Sequence, residues 1–77
     1  MDIKIKRLLK DLHNPDDDLR TLSAMTLMKL DFPEEETRNE VVSNLVKATQ
    51  DENVSVRFFA RKALDKISMA EKLMITS

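Results

Sequence analysis

The sequence predicts an all-α fold, a single domain of four helices over residues 1–77, and three observations support this prediction. Apolar residues recur with the spacing of helices in four successive segments. No segment alternates apolar and polar side chains over the length of a typical strand. The chain of 77 residues contains no glycine, although tight β-hairpins and phosphate-binding loops usually depend on it.

The first two helices are predicted on either side of Pro15. The first ends near Leu12, because a residue that precedes proline avoids helical dihedral angles. Asn14 is the predicted N-cap of the second helix, with Pro15 at its first position and aspartates at positions 16–18, where the helix dipole favours carboxylates. The apolar stripes of the two helices are Ile5, Leu8, Leu9 and Leu12, and Leu19, Leu22, Ser23, Thr26, Leu27 and Leu30.

The third and fourth helices follow breaks at Pro33 and at the polar positions 50–53. Glutamates at positions 34–36 open the third helix as the aspartates open the second. Ala70 and Met74 extend the apolar series of the fourth helix, so we expect it to run nearly to Ile75. The predicted buried residues are Val41, Val42, Leu45, Val46 and Thr49 in the third helix, and Val56, Phe59, Ala60, Ala63, Leu64 and Ile67 in the fourth.

The chain contains an internal repeat. A shift of 37 positions superimposes the first helix on the third and the second on the fourth, and it places Arg20 on Arg57. Two amphipathic stripes can match by chance, but a matched arginine behind a matched polar break is less expected. The other matched pairs are Leu8 and Leu45, Leu9 and Val46, Leu12 and Thr49, Leu19 and Val56, Leu22 and Phe59, Ser23 and Ala60, Leu27 and Leu64, Lys29 and Lys66, and Leu30 and Ile67.

The second copy of the repeat carries a motif in its turn. Asp51 is followed six residues later by Arg57, and a small and a large apolar residue lie downstream, at Ala60 and Leu64. This pattern resembles the HEAT repeats, and the resemblance covers roughly residues 3–67. The first copy departs from the pattern, since Asn14 stands where Asp is expected and Ser23 where Ala is usual.

The resemblance implies an α–α superhelix in which two HEAT-like hairpins stack side by side. The first repeat would span about residues 3–31 and the second about 34–68, followed by a helical tail at 69–77. In the family, an arginine reaches a turn residue of an adjacent repeat, so the resemblance implies that Arg57 approaches Asn14 or its neighbours. The implied ladder consists of Asn14, Arg20, Asp51 and Arg57.

Apolar residues also occur opposite the predicted core. In the resembled family the second helix of each pair lines the concave surface, so these residues would form an exposed binding patch there. Methionine suits adaptable interfaces, and contiguous exposed apolar area usually marks one. The alternative, that the second and fourth helices bury part of this stripe between them, stays open, because periodicity does not separate the two. The candidate partner-binding residues are Met25, Met28, Phe58, Arg61, Lys62 and Met69.

The residue inventory does not favour catalysis or a bound cofactor. Cysteine is absent, which excludes disulfides, thiol chemistry and the usual zinc sites. The aspartates at positions 16–18 are consecutive, whereas a calcium loop spreads its ligands over about twelve residues and contains a glycine. His13 is the single histidine and has no accompanying nucleophile. We therefore expect no enzymatic activity, no metal and no cofactor.

The charge balance bears on partners and location. The 13 basic and 14 acidic side chains give a net charge of −1, which disfavours nucleic-acid binding because phosphate contacts require excess positive charge. No apolar run approaches the about 20 residues that cross a bilayer, and the charged N-terminus does not read as a signal peptide. Small secreted domains more often carry disulfides, so we expect a cytoplasmic protein.

These observations favour a non-enzymatic protein-interaction or scaffold module that binds a partner, or itself, through the concave face of the second helices. Two alternatives stay open: an accessory HEAT-like domain of a larger enzyme such as a bilin lyase, and a weak nucleic-acid-binding module, as in HEAT-like DNA glycosylases. About three repeats normally make a stable stack, so two leave a flank open. We expect either a homo-oligomer formed through the fourth helix and the tail, or a fragment of a longer repeat protein.

Overall fold

The structure, a computed structural model, describes the backbone of residues 1–76 and the side chains of residues 1–73. Over these residues it contains four α-helices and no strand: α1 (Ile3–Asp11), α2 (Asp17–Lys29), α3 (Glu35–Ala48) and α4 (Val54–Thr76). The prediction of an all-α fold is therefore confirmed. The predicted tail at 69–77 continues α4 as far as Thr76, while residue 77 and the side chain of Met74 lie outside the described part.

A side chain two residues later than predicted caps α2. Oδ1 of Asp16 accepts hydrogen bonds from the main-chain N–H groups of Asp18 and Leu19, so Asp16 is the N-cap. The prediction that Asn14 caps this helix is wrong. Asn14 Oδ1 instead accepts from the N–H of Asp16 at 2.9 Å and builds the turn that contains Pro15, a role that Asn side chains commonly take before helices.

The two central helices are α2 and α4; α1 packs against α2, and α3 packs against α4. One hydrophobic core joins all four helices; Leu27 belongs to it, and the matched residue Leu64 is partly buried and packs against it. The largest fully buried side chains in this core are Leu12, Leu27, Val41, Leu45 and Val56. The two hairpins therefore share a single interior.

The buried face of α2 differs from the predicted stripe. The periodicity predicts that Leu19 and Leu22 are buried, but they are 40% and 56% exposed. Ala24, which the same periodicity places on the opposite face, is fully buried. The difference arises because α2 contacts α4 as well as α1, and a small side chain such as Ala24 allows two helices to approach closely. In α3, Val46 is likewise exposed, although the periodicity predicts that it is buried.

The C-terminal half of α4 forms hydrogen bonds with the end of α2 and then extends past it. Nζ of Lys66 donates to the main-chain carbonyls of Met28 and Leu30, each at 3.2 Å, which satisfies carbonyl groups left without partners at the end of α2. Beyond Ile67, every described side chain of α4 is exposed. None of the helices over the described residues combines the length and the apolar character needed to span a bilayer.

Candidate functional site

The two turns that join the helices within each hairpin have the same geometry, 37 residues apart. Asn14 Oδ1 accepts from the N–H of Asp16 at 2.9 Å, and Asp51 Oδ1 accepts from the N–H of Asn53 at 2.8 Å. Asp16 and Asn53 then both accept from N–H groups in the first turn of the following helix. The internal repeat seen in the sequence is thus repeated in the hydrogen bonds.

An arginine closes each of these turns from the helix that follows. Nη1 of Arg20 donates to the carbonyls of the residues six and five positions earlier, at 2.8 and 3.0 Å. Nη1 of Arg57 donates to the carbonyls at the same two offsets and at the same distances. Both arginines lie one turn into their helices, at the fourth position of α2 and of α4. Each one holds its own turn against its own helix.

Only one of these two arginines also reaches the other repeat. Arg20 is nearly fully buried, with 8% of its surface exposed. Its Nε and Nη2 donate to the two carboxylate oxygens of Asp51 at 2.9 and 3.2 Å. The sequence predicts that Arg57 approaches Asn14, but the contact between repeats runs in the other direction, from the arginine of the first repeat to the aspartate of the second. The physical reason is packing, which brings Asp51 to Arg20, whereas Arg57 lines a groove on α4.

The Arg20–Asp51 contact shifts the pKa of both groups. Burial on its own would raise the pKa of the Asp51 carboxyl, but the hydrogen bonds from Asn53 N–H and from Arg20, with the positive charges of Arg20 and Arg57, lower it overall. The pKa of Arg20 is raised, chiefly by the hydrogen bond to Asp51, against the opposing effect of burial. Both partners are charged at neutral pH, and the pair has a structural role.

Residues related by the repeat differ in burial, and the differences show which face of each central helix is covered. Ala24 in α2 is fully buried, whereas its counterpart Arg61 in α4 is exposed. Conversely, Val56 in α4 is fully buried, whereas its counterpart Leu19 in α2 is 40% exposed. Because α2 and α4 pack against each other, the Ala24 face of α2 is turned toward α4. The equivalent face of α4, which carries Arg61, is turned away from α2.

We call this surface the outer face of α4. It forms a shallow groove of about 340 Å³. The Phe58 side chain is 53% exposed, and Nζ of Lys62 lies 5.6 Å from the centre of its ring, within the range of a cation–π contact. The ring of Phe59 packs edge to face against the ring of Phe58, with 5.2 Å between the ring centres. The residues that line the groove are Val54, Arg57, Phe58, Arg61, Lys62 and Asp65.

The candidate binding residues predicted from the sequence do not form one surface. Phe58, Arg61 and Lys62 lie together on the outer face of α4. Met28 is half-buried and packs against the core, and Met25 is also half-buried. Their counterparts in the repeat, Lys62 and Asp65, line the groove on α4. Met28 therefore contributes to the core, and the groove contains residues of α4 alone.

Met69 is exposed on the same side of α4 as Lys62. It is 68% exposed and lies seven residues, about two helical turns, beyond Lys62. Seven residues rotate a helix by nearly two full turns, so the two side chains project in similar directions. Met69 therefore lies beyond the groove, on the part of α4 that extends past Ile67.

A second concave surface, which the sequence did not predict, lies at the opposite end of the hairpins. This cleft, of about 250 Å³, lies between the α2–α3 connection and the end of α4. Arg38 borders it: Nη1 donates to the carbonyls of Phe32 and Pro33, and Nε donates to Glu71 at 3.1 Å. The available signal was the spacing, since Arg38 follows Phe32 by the same six residues that separate Arg20 from Asn14.

The polar residues considered for catalysis or metal binding have structural contacts. Asp16 caps α2, and Asp17 pairs with Arg20. Nε2 of His13 lies 2.8 Å from Oδ1 of Asn44, which links the first turn to α3. No group of three or more His, Asp or Glu side chains within residues 1–73 is arranged to hold a metal ion.

Comparison of the chain with protein-family models, with curated proteins and with solved structures finds no match.

Proposed function

We propose that this chain is a HEAT-like, two-repeat binding module, without enzymatic activity, that binds a protein partner through the outer face of α4. One observation carries the proposal: an aromatic ring, Phe58, is half-exposed between Arg61 and Lys62 in a groove that no other helix of the described chain covers. Aromatic side chains, Phe among them, and Arg are enriched in protein–protein interfaces.

The HEAT-like assignment is supported by the turns. Both copies of the repeat have an Asx-type turn, a capping side chain and an arginine that reaches back to the same carbonyls. A repeat that presents equivalent helices side by side forms an extended surface from their exposed faces. Here α2 is covered by α4, so the module offers the face of the last helix.

The position of Phe58 suits an anchor residue. Phe59 holds its ring edge to face, so less side-chain freedom is lost when a partner covers it than for a mobile side chain. Lys62 lies over the same ring, which places a positive charge next to the apolar contact. A partner that combines an apolar side chain with negative charge would complement both features.

Site-specific photocrosslinking tests the proposal. A photoreactive phenylalanine analogue at position 58 should give a discrete adduct in cells, and the same analogue at position 46 should not. Val46 is the matched control because it is also apolar and 53% exposed, but it lies on α3. The partner identified in the adduct, once purified, should bind the wild-type chain and lose about tenfold or more in affinity for Phe58→Asp.

Two outcomes would contradict the proposal. One is an equal adduct at positions 46 and 58, which would indicate non-specific contact with apolar surface. The other is a purified partner that binds Phe58→Asp and Val46→Asp equally well. Circular dichroism of both variants shows whether the helices are intact, so that a loss of binding is not confused with unfolding.

Self-association is a second candidate, and the exposed end of α4 favours it. Met69 and Leu73 are 68% and 71% exposed, and both lie on the part of α4 that extends past Ile67. Sedimentation velocity of the purified chain should show a concentration-dependent dimer that Met69→Asp weakens. A monomer at all concentrations up to the high micromolar range would exclude this candidate and leave the first one standing.

A further inference from the structure

We infer that Arg57 is the specificity-determining residue of the outer face of α4 and that it binds a carboxylate from an acidic peptide segment of the partner. The inference rests on the proposed function, since it assigns the chemistry of that same surface. The structure provides a template for the contact within the chain itself, in the way that Arg20 binds Asp51.

The template is a fork. Arg20 uses Nη1 for the carbonyls of its own turn and uses the opposite edge, Nε and Nη2, for the two oxygens of Asp51 at 2.9 and 3.2 Å. Two nearly parallel N–H donors match the two oxygens of a carboxylate, which makes such contacts stronger and more specific than those of a single charge.

Arg57 is built in the same way but lacks the second partner. Its Nη1 donates to two turn carbonyls at 2.8 and 3.0 Å, which fixes the guanidinium as in Arg20. Over the described side chains, its Nε and Nη2 make no hydrogen bond, and the residue lines the groove that also contains Phe58. The edge that would hold a carboxylate is therefore positioned and accessible.

Arg61 disfavours another hairpin stacked in register on α4. A third copy of the repeat would pack on α4 as α4 packs on α2 and would bury position 61 as Ala24 is buried. Arg61 occupies that position, and a fully buried, unpaired guanidinium would be strongly unfavourable. The shallow groove instead suits a thin, extended segment, which can leave Arg61 and Lys62 partly in water.

The charges around the groove favour an acidic ligand. Three cations, Arg57, Arg61 and Lys62, line the groove together with one carboxylate, Asp65. Charge complementarity between such a surface and its ligand raises the rate and the selectivity of binding. A polyanion such as nucleic acid is less suited, because its phosphates require a larger excess of positive charge than three cations opposed by one carboxylate.

NMR titration with a defined probe tests the inference. The probe is an acetylated and amidated hexapeptide of alternating Asp and Leu, and its control has Asn in place of Asp. The side-chain Nε–H signal of Arg57 in a ¹⁵N-labelled chain should shift with the Asp peptide and not with the Asn peptide. Arg57→Lys should weaken binding about tenfold or more, because lysine keeps the charge but loses the fork.

Arg7→Lys is the matched control, since Arg7 is exposed on α1, away from the groove. Several results would overturn the inference: no shift at about 2 mM peptide, an equal response to the Asn peptide, equal weakening by Arg7→Lys, or tighter binding of oligothymidylate to the same signals. Backbone spectra of Arg57→Lys report whether the fold is kept. Phe58→Ala is a second variant that should weaken binding, and it leaves the hydrogen bonds of the turn intact because the Phe58 side chain takes no part in them.

The peptide test and the crosslinking test fail in different ways. A specific adduct at position 58 without any peptide response would leave the proposed binding module intact and would remove only its assignment to acidic segments. A peptide response without an adduct would show that Arg57 binds carboxylates but that the outer face of α4 is not used by a protein partner in cells.

Discussion

Arg20 connects three segments of the chain through one guanidinium group. Its five N–H donors bind two carbonyls of the first turn, the carboxylate of Asp17 and both oxygens of Asp51. Because the side chain is nearly fully buried, its charge is tolerated only while these partners remain in place. The position of the second hairpin against the first therefore depends in part on this single residue.

We predict that Asp51→Asn destabilises the fold at neutral pH and that the difference from wild type disappears in acid. The pKa of the Asp51 carboxyl is lowered in the folded chain from its ordinary 3.8. Its contribution is fully present above that value and is lost as the pH falls below it. The melting temperature at pH 7 should drop by about 5 °C, and thermal scans from pH 7 to pH 2 should show the two curves converging below pH 3.8.

Asp17→Asn is the control for that experiment. Asp17 also pairs with Arg20, but its side chain is 56% exposed, against 13% for Asp51, and exposed pairs contribute little. We expect a much smaller change in melting temperature. Equal effects of the two substitutions would contradict the view that the contact between repeats, and not the local pair, positions the hairpins.

The two hydrophobic residues that the sequence predicts on one binding surface, Met28 and Phe58, should lose stability to different extents when each is replaced by Asp. Met28→Asp should lower the free energy of unfolding by about 2 kcal/mol or more, because Met28 packs against the core and the new carboxylate would be partly buried. Phe58→Asp should change it by only about 0.5 kcal/mol, since Phe58 is 53% exposed. Urea denaturation followed by circular dichroism measures both values. Comparable losses would show that the outer face of α4 is covered.

At the scale of the elements, the same kind of arginine contact holds each of the three connections between the helices. Arg20, Arg38 and Arg57 each occupy the fourth position of their helix and donate to the carbonyls six and five residues earlier. Glycine commonly supplies such turns with a left-handed residue, but this chain has none, and no described residue has a positive φ. Side-chain hydrogen bonds hold the turns instead.

The N-caps of α2 and α4 should contribute comparable stability. Asp16→Ala and Asn53→Ala each remove a side-chain acceptor for the first turn of a helix, so each should lower the free energy of unfolding by about 1 kcal/mol. Glu34→Ala is the control, because Glu34 precedes α3 but its side chain makes no capping hydrogen bond. Chemical denaturation of the three variants should show two similar losses and one near zero. A loss at Glu34 equal to the others would contradict the assignment of caps.

At the scale of the whole molecule, the two hairpins should unfold together. Leu27 belongs to one core that spans all four helices, so Leu27→Ala should lower the free energy of unfolding by about 2–5 kcal/mol without splitting the transition. Leu22→Ala is the control, since Leu22 is 56% exposed. Differential scanning calorimetry should give equal calorimetric and van't Hoff enthalpies for each. Two separate transitions would show that the hairpins are independent.

The exposed surfaces on the two sides of the α2–α4 pair differ in chemistry. The side formed by α2 exposes Leu19 and Leu22, whose counterparts in α4 contact the interior. The side formed by α4 exposes Arg61 and Lys62 instead. The first side is apolar and the second is charged around one aromatic ring, so the two surfaces suit different kinds of contact. This asymmetry follows from packing, because matched positions of the two hairpins are covered in one and exposed in the other.

Much of the fold could be predicted from the sequence because it depends on local chemistry. The breaks at Pro15 and Pro33, the spacing of the apolar residues and the 37-residue repeat predicted four helices in two similar hairpins. The deepest core residues of α3 and α4, such as Leu45 and Val56, were among those predicted. Phe58, Arg61 and Lys62 were identified as surface candidates from the same periodicity.

Other features were decided only by the tertiary structure. Periodicity fixes which residues share a face of a helix, but it does not fix which neighbour that face meets, so the burial of Ala24 and the exposure of Leu19 depended on how α2 packs against α4. The direction of the arginine contact also depended on packing, since it brings Asp51 to Arg20. The local sequence determined the helices and their turns. Long-range packing determined which surfaces remain exposed, because only packing brings together residues that are far apart in the chain.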